Sequence, residues 1–428
     1  MKEIRQAIAC FLAMMILGVF IAFLLYKIQG VQSFEQGNVE SVLPAKIEET
    51  IKIPSIRVLI KTTGFHEIAH EKVEVSAENG LVIVDGNKVN EFDGDEKVIL
   101  NPNTSSVRVK PKALGDKIKI HSIERGYGTP EYGGGLEVYE TEEGLIIVNE
   151  ISMEEYLRGV VPSEMPASYE KEALKAQAIC ARCYAYNQSK EMSYPEYGAH
   201  VDDSVRFQVY NNSEEQDVTN EAVQETLGEL LWYEEEVAMT YFYSTSSGNS
   251  TSIEAWGTQL IDSNQYLKGV SISDEEGLDY EKELSWYKWI ANISVDVMEK
   301  IVKSNLEKDI GNLCDIEITK IGQGGVVQEI EIIGTKSRVC IESENKIRKV
   351  LGGEGYQITK KDGTIINSTK MLPSAFFSLE KNEDSYIISG GGYGHGIGMS
   401  QNGANELAKA GKDYKEILEF FYPGTKVK

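Results

Sequence analysis

From Gln6 to Tyr26 the chain carries no charged residue, and Ala7 to Leu25 are almost wholly apolar. About 20 apolar residues rising 1.5 Å each cross a bilayer as a helix, so a chain with this run is expected to begin as a membrane span. The run ends in bulky Phe23, Leu24, Leu25 and Tyr26, which offer no small-x-small cleavage site, so residues 1–28 read as an uncleaved anchor. Lys2 and Arg5 favour a cytoplasmic N-terminus, a bias that Lys27 on the other flank weakens. The expectation is a single-pass membrane protein whose ectodomain is extracytoplasmic.

The rest of the 428-residue chain is long enough for two or three folded units with cores of their own. Asp+Glu number 67 against 43 Lys+Arg, a formal charge of -24, spread along the chain. Such a balance argues against nucleic acid as a partner, because a phosphate backbone is held by clustered cations.

Residues 29–55 are polar and aperiodic, which suits a spacer. Short Val- and Ile-rich segments follow: 56–60, 72–75, 81–84, 97–100, 107–109 and 117–123, parted by turns such as Glu78-Asn79-Gly80. They predict a small β-rich region over 56–125. Strands at 135–139 and 145–149 then give way to helices, so 126–428 is expected to be a mixed α/β region, and the fold class is α+β with an N-terminal transmembrane anchor.

Ser152 and Glu155 form a capping box that opens a helix running to about Val161. Pro162 and Pro166 are expected to interrupt it, leaving Glu164 in an irregular turn. A second helix is predicted from near Ser168, and on it Lys175 and Arg182, seven apart, are expected to point into one space. Further helices are predicted over 295–304, 400–410 and from Asp413, whose capping partner is Glu416.

Glu164 is the best acid among the carboxylates, since Val160, Val161, Met165 and Pro166 around it would hold its proton to higher pH. The run from Gly390 to Gly398 around His395 has the wrong glycine order for a nucleotide loop. His395 and the amides near Ser400 could instead donate to a sugar or an oxyanion. Of five cysteines, Cys180 and Cys183 lie inside a helical pattern and read as small core residues, while Cys314 and Cys340 are spaced so that a disulfide is open.

Taken together, five segments in order resemble the SpoIID/LytB family, whose best-understood member is a lytic transglycosylase. They are Ser152 to Pro166, Glu172 to Arg182, Gln208 to Tyr210, Tyr243 to Gly248 with Trp256-Gly257, and Gly394 to Gln401, agreeing in order and spacing over roughly 130–428. The resemblance implies that Glu164 is catalytic and that Lys175, Gln177, Arg182, Tyr210, Ser244, His395 and Gln401 line or support a glycan cleft. Some members carry a His/Cys zinc site before the Gln-Val-Tyr motif. Here that stretch holds His200 and no cysteine, so no metal and no cofactor are expected.

The activity implied is cleavage of peptide-free peptidoglycan glycan strands after N-acetylmuramic acid to give 1,6-anhydro ends, in sporulation and engulfment. Implied partners are the glycan strands, a peptidoglycan amidase, other engulfment proteins, and the membrane through the anchor. A hydrolase would use a second carboxylate, for which Asp202, Asp203 and Glu254 are candidates. A non-catalytic amidase activator or glycan-binding module is a further alternative, and a purely structural anchor in the engulfment or envelope machinery, hinted at by the β-rich extension, is another.

Overall fold

A computed structural model describes residues 54–102 and 106–428. The expected anchor at 1–28 and nearly all of the 29–55 spacer lie outside the described residues. Among the described residues no helix is long and apolar enough to cross a membrane.

The fold is mixed α and β, with several sheets and the helices gathered in three groups along the chain. The largest sheet has eight strands, in the order 201–202, 56–60, 144–151, 135–141, 106–111, 81–85 and 88–92, with 69–70 also beside 144–151. Strand Ile56–Ile60 pairs antiparallel with Gly144–Ile151 along its whole length, Ile56 opposite Ile151 and Ile60 opposite Ile147. Strands from either side of residue 125 thus share one sheet, so the expected 56–125 extension is not a separately packed layer. Arg125 and Asp203, both fully buried, clamp the two stretches at 2.6 Å. Val- and Ile-rich runs between turns marked the strands in sequence, but which strands pair is set by the faces that must be covered.

Helix α1 spans Met153–Glu164, with Ser152 as its N-cap. It runs through Pro162, a correction to the break expected there. Proline removes the N–H that would have bonded the Arg158 carbonyl, but the turn after it is still tied back to the helix. Ser163 Oγ donates to the Gly159 carbonyl at 2.7 Å, and the Met165 N–H returns to Val161 O. The chain leaves the helix only at Met165, in extended geometry before Pro166. Helix α2, Lys171–Gln188, starts three residues later than expected; α3 is Asp217–Glu225.

A five-stranded sheet, in the order 365–367, 357–360, 289–294, 385–390 and 377–381, packs with α4 (Val295–Asn305). A three-stranded sheet, 313–321, 327–334 and 338–342, contacts α5 (Glu344–Leu351). Cys314 and Cys340 lie on its two outer strands, exposed and free. Two strand spacings of about 4.8 Å part them, beyond the reach of a disulfide. Helices α6 (Gln401–Lys409) and α7 (Tyr414–Phe421) close the chain, α7 with the expected Asp413/Glu416 capping box. Cys180 and Cys183 are buried on α2, where Cys183 Sγ accepts the Leu231 N–H.

Candidate active site

Glu164 ends α1 half-buried, at the point where α1, α2, the 208–210 segment and α6 meet. Its Oε1 accepts the Val209 N–H at 2.6 Å, and Gln401 Nε2 donates to its backbone carbonyl at 3.1 Å. Burial pushes the carboxyl up to about 7, against the pull of the Val209 and Gln401 hydrogen bonds. A group at that value holds its proton near neutrality and can release it.

The Gln208-Val209-Tyr210 motif acts through its backbone. Gln208 Nε2 donates to Ala181 O and its Oε1 accepts from Tyr156 Oη, while Tyr210 Oη donates to Asn149 Oδ1. Both side chains are buried. With both neighbours anchored in the core, the Val209 amide is held where it donates to Glu164. Tyr210 therefore supports the site from the core and does not line it. Its ring lies so close to α1 that a Cβ on Gly159 would come within 2.6 Å of it, which explains a glycine inside a helix that otherwise disfavours one.

Helix α2 has two working faces, and the pairing expected from sequence falls on the other one. Lys175 binds Glu172 and Glu225, each at 2.8 Å. Arg182, fully buried, reaches Glu154 at 2.7 Å and the carbonyl of Glu229. These two residues do share a space, but it is the seam with α1 and α3, away from Glu164. The face toward Glu164 carries Gln177 and Tyr184, also seven apart. Gln177 Oε1 is 3.5 Å from Gln401 Nε2, and its own Nε2 is buried without a partner among the described residues. Glu164 and Asp202 both act on the half-buried Tyr184 phenol, whose proton is held more tightly still by burial.

From Tyr184 a row of rings continues: Tyr241 at 6.3 Å, Trp256 at 4.8 Å from Tyr241, and His395 at 5.0 Å from Trp256. His395 Nδ1 accepts the Ile397 N–H at 3.1 Å, and the ring also bonds the Phe242 backbone. Burial, then Arg348, drives its pKa down to about 3, so the imidazole is neutral. Held to the Ile397 and Phe242 backbones, it braces the glycine loop. That loop depends on glycine where the backbones touch: Gly398, at φ +75°, would drive a Cβ to 2.0 Å from Tyr241 O.

Ser244 acts by its carbonyl, which accepts from the Asn402 backbone and side chain and pins 244–248 to the start of α6. Beneath lies Glu281, fully buried. Its carboxylate accepts from Ser246 N–H, Ser246 Oγ and Ser400 Oγ, and burial pushes it up to about 7. Asp202 holds Tyr194 Oη and Ser204, Asp203 holds Arg125, and exposed Glu254 accepts from Ser252. None of these three carboxylates contacts Glu164. His200 Nδ1 accepts the Arg57 N–H at 3.0 Å.

The sequence reading missed Val209, Tyr184 and Glu281. A seven-residue step from Gln177 would have found Tyr184; a backbone amide and an isolated glutamate leave no such mark.

A family model described as stage II sporulation protein (SpoIID) matches residues 141–233, the span of Glu164, Gln177 and Val209. Stage II sporulation protein D of Bacillus subtilis is 32% identical over 295 residues, 65% of this chain and 75% of that protein. The chain belongs to the SpoIID family. A second model, for a domain of unknown function, matches 229–398. An uncharacterized protein of Brachyspira hyodysenteriae is 32% identical over 69% of this chain and 72% of its own length. The amidase enhancer of Bacillus subtilis is also 32% identical, over 63% of this chain and 40% of its own length. Within the family match, Glu164 is the one acid found here at a helix end against the Val209 amide.

Proposed function

We propose that the protein is a peptidoglycan lytic transglycosylase, held to the membrane by residues 1–28 with its folded part outside, and that Glu164 is its single acid and base. The observation that carries this reading is a carboxyl raised to about 7, with the Val209 amide fixed on Oε1 and no second carboxylate in contact with it among the described residues. In the Michaelis complex protonated Glu164 gives its proton to the glycosidic oxygen after N-acetylmuramic acid. The C1–O bond breaks, the carboxylate takes the proton of that sugar's C6 hydroxyl, and the C6 oxygen closes on C1. The acid is regenerated and no water is consumed. Val209 N–H stabilises the carboxylate form between the two steps, and Gln401 and Gln177 fix the wall against it.

A two-carboxylate hydrolase is less well supported, because Asp202 and Asp203 are each committed to other partners. The amidase enhancer among the relatives favours a second reading, a glycan-bound activator of an amidase in the cell wall during sporulation. Mass spectrometry of products from peptide-free glycan strands, with the full chain in detergent and Glu164→Gln alongside, separates them. Anhydro ends from the parent alone are expected; ends with water added would mean a hydrolase, and binding without cutting would mean the activator.

A further inference from the structure

The exposed end of the five-stranded sheet holds a group of side chains that the cleavage step does not use. Tyr393 leaves the glycine run after strand 385–390 with its ring 43% exposed, and it packs on Trp286 with centroids 4.7 Å apart. Lys360 Nζ stands 4.4 Å over the Trp286 ring. On one side is a cavity of about 500 Å³ lined by Lys288, Lys360, Lys361 and Ser247. On the other, Trp286 and Tyr393 themselves wall a cavity of about 390 Å³ with Arg348 and Lys370. Both volumes lie in the range of small-ligand sites.

Two features separate this place from ordinary surface. The indole N–H of Trp289 donates to Gly392 O and that of Trp256 to Glu344, but that of Trp286 has no partner among the described residues, nor has Tyr393 Oη. Flat rings with free polar tips suit a sugar, which offers a C–H face and hydroxyl edges. The charge is also opposite to that of the chain, whose net is -24. Of the nearby cations, Lys361 is paired with Glu283 and Arg348 with Glu344. Asp279 is taken by Tyr287 Oη, and Asp362 feels Lys360 without forming an ion pair with it. Among the described residues Lys288 and Lys360 have no carboxylate partner, and each is held over a ring, Lys288 over Tyr287 at 5.9 Å.

We propose that this face is a subsite for an acidic sugar of the glycan strand: Tyr393 stacks under the pyranose while Lys360 and Lys288 take its carboxylate. It deepens the glycan-cleaving reading and rests on it for the substrate. N-acetylmuramic acid carries such a carboxylate on its lactyl ether, and N-acetylglucosamine does not. The subsite is tied to the acid by a short run of contacts. Tyr393 and Thr245 exchange backbone hydrogen bonds, Ser244 O accepts from Asn402, and the preceding Gln401 donates to Glu164. A strand passing Glu164 would meet the platform with a flanking sugar, which sets the register of the cut.

The test is binding, read by tryptophan fluorescence on the full Glu164→Gln chain in detergent. The probes are a peptide-free tetrasaccharide of alternating N-acetylglucosamine and N-acetylmuramic acid, and the neutral tetrasaccharide of N-acetylglucosamine. The acidic probe is expected to bind about tenfold more tightly at low salt, with the advantage shrinking as salt screens it. Lys288→Gln with Lys360→Gln should erase that advantage and leave neutral binding in place, while Tyr393→Ala should weaken both probes. Equal affinities in the parent, or a preference that survives the double lysine change, would overturn the subsite. The cleavage reading fails separately, when the chain with Glu164 intact cuts no strand although the preference is present.

Discussion

Glu164 and Glu281 are both carboxyls raised by burial to about 7, yet they are built for opposite ends. Glu281 is sealed, with donors from Ser246 and Ser400 on its oxygens, and it ties the 244–248 loop to the first turn of α6. Glu164 is half-buried, with the Val209 amide on Oε1 and the Gln401 side chain beside it. A raised pKa alone therefore does not mark an acid catalyst; the oxygen must also be approachable.

The widest gap between the two should open in Glu164→Gln, which is expected to lower cleavage by at least 10²–10⁴-fold with the fold retained. Product counting and a thermal melt on the same sample would read both, and a variant that still cuts would sink the assignment. Arg182→Ala should come next, on stability: it strips the buried guanidinium from Glu154 and two carbonyls, at about 3–5 kcal/mol in denaturant titration. Rescue of cutting at low temperature would confirm that this face of α2 is structural. Glu281→Gln should cost about 1–3 kcal/mol, since the amide keeps an acceptor for only part of its donor set, with activity falling through the loosened loop. Unchanged melting would mean that the Ser246 and Ser400 contacts contribute little.

The pH response is a smaller effect shared by both glutamates. Each is raised above the ordinary carboxyl value, so the native state binds these protons more tightly than the unfolded chain. The stability they contribute is full below about 4.5 and is lost as pH rises through about 7. Melting temperature should be lower at pH 8 than at pH 6, cutting should fall over the same interval, and Glu164→Gln should flatten the share due to that residue. The smallest effect is expected from Lys175→Ala, whose surface pairs with Glu172 and Glu225 are worth about 0.2–1 kcal/mol. A large loss of activity there would move the lysine back into the cleft.

Much of the framework was legible beforehand because it is local. A short Val- and Ile-rich run located strand Ile56–Ile60, and capping boxes located the starts of α1 and α7. Glu164, Gln177 and Gln401 came from motif resemblance, and the fold brings the three together. Lys175 and Arg182 misled because a period of seven says that two residues share a face without saying what that face meets. Ser244 and His395 were sought for their side chains as ligands of the substrate, whereas the fold uses the carbonyl of one and the ring of the other to hold backbone in place.

By itself the sequence determined the kind of most elements, the uncharged run at 6–26 and the apolar neighbours of Glu164, since each depends on residues close together in the chain. Tertiary structure decided that the Val209 amide meets that acid, that Gln177 and Tyr184 rather than Lys175 and Arg182 face it, and that Trp286 lies against Tyr393. Those are contacts between distant segments, chosen by which buried surfaces and hydrogen-bonding groups can all be satisfied at once, and no local pattern encodes that choice.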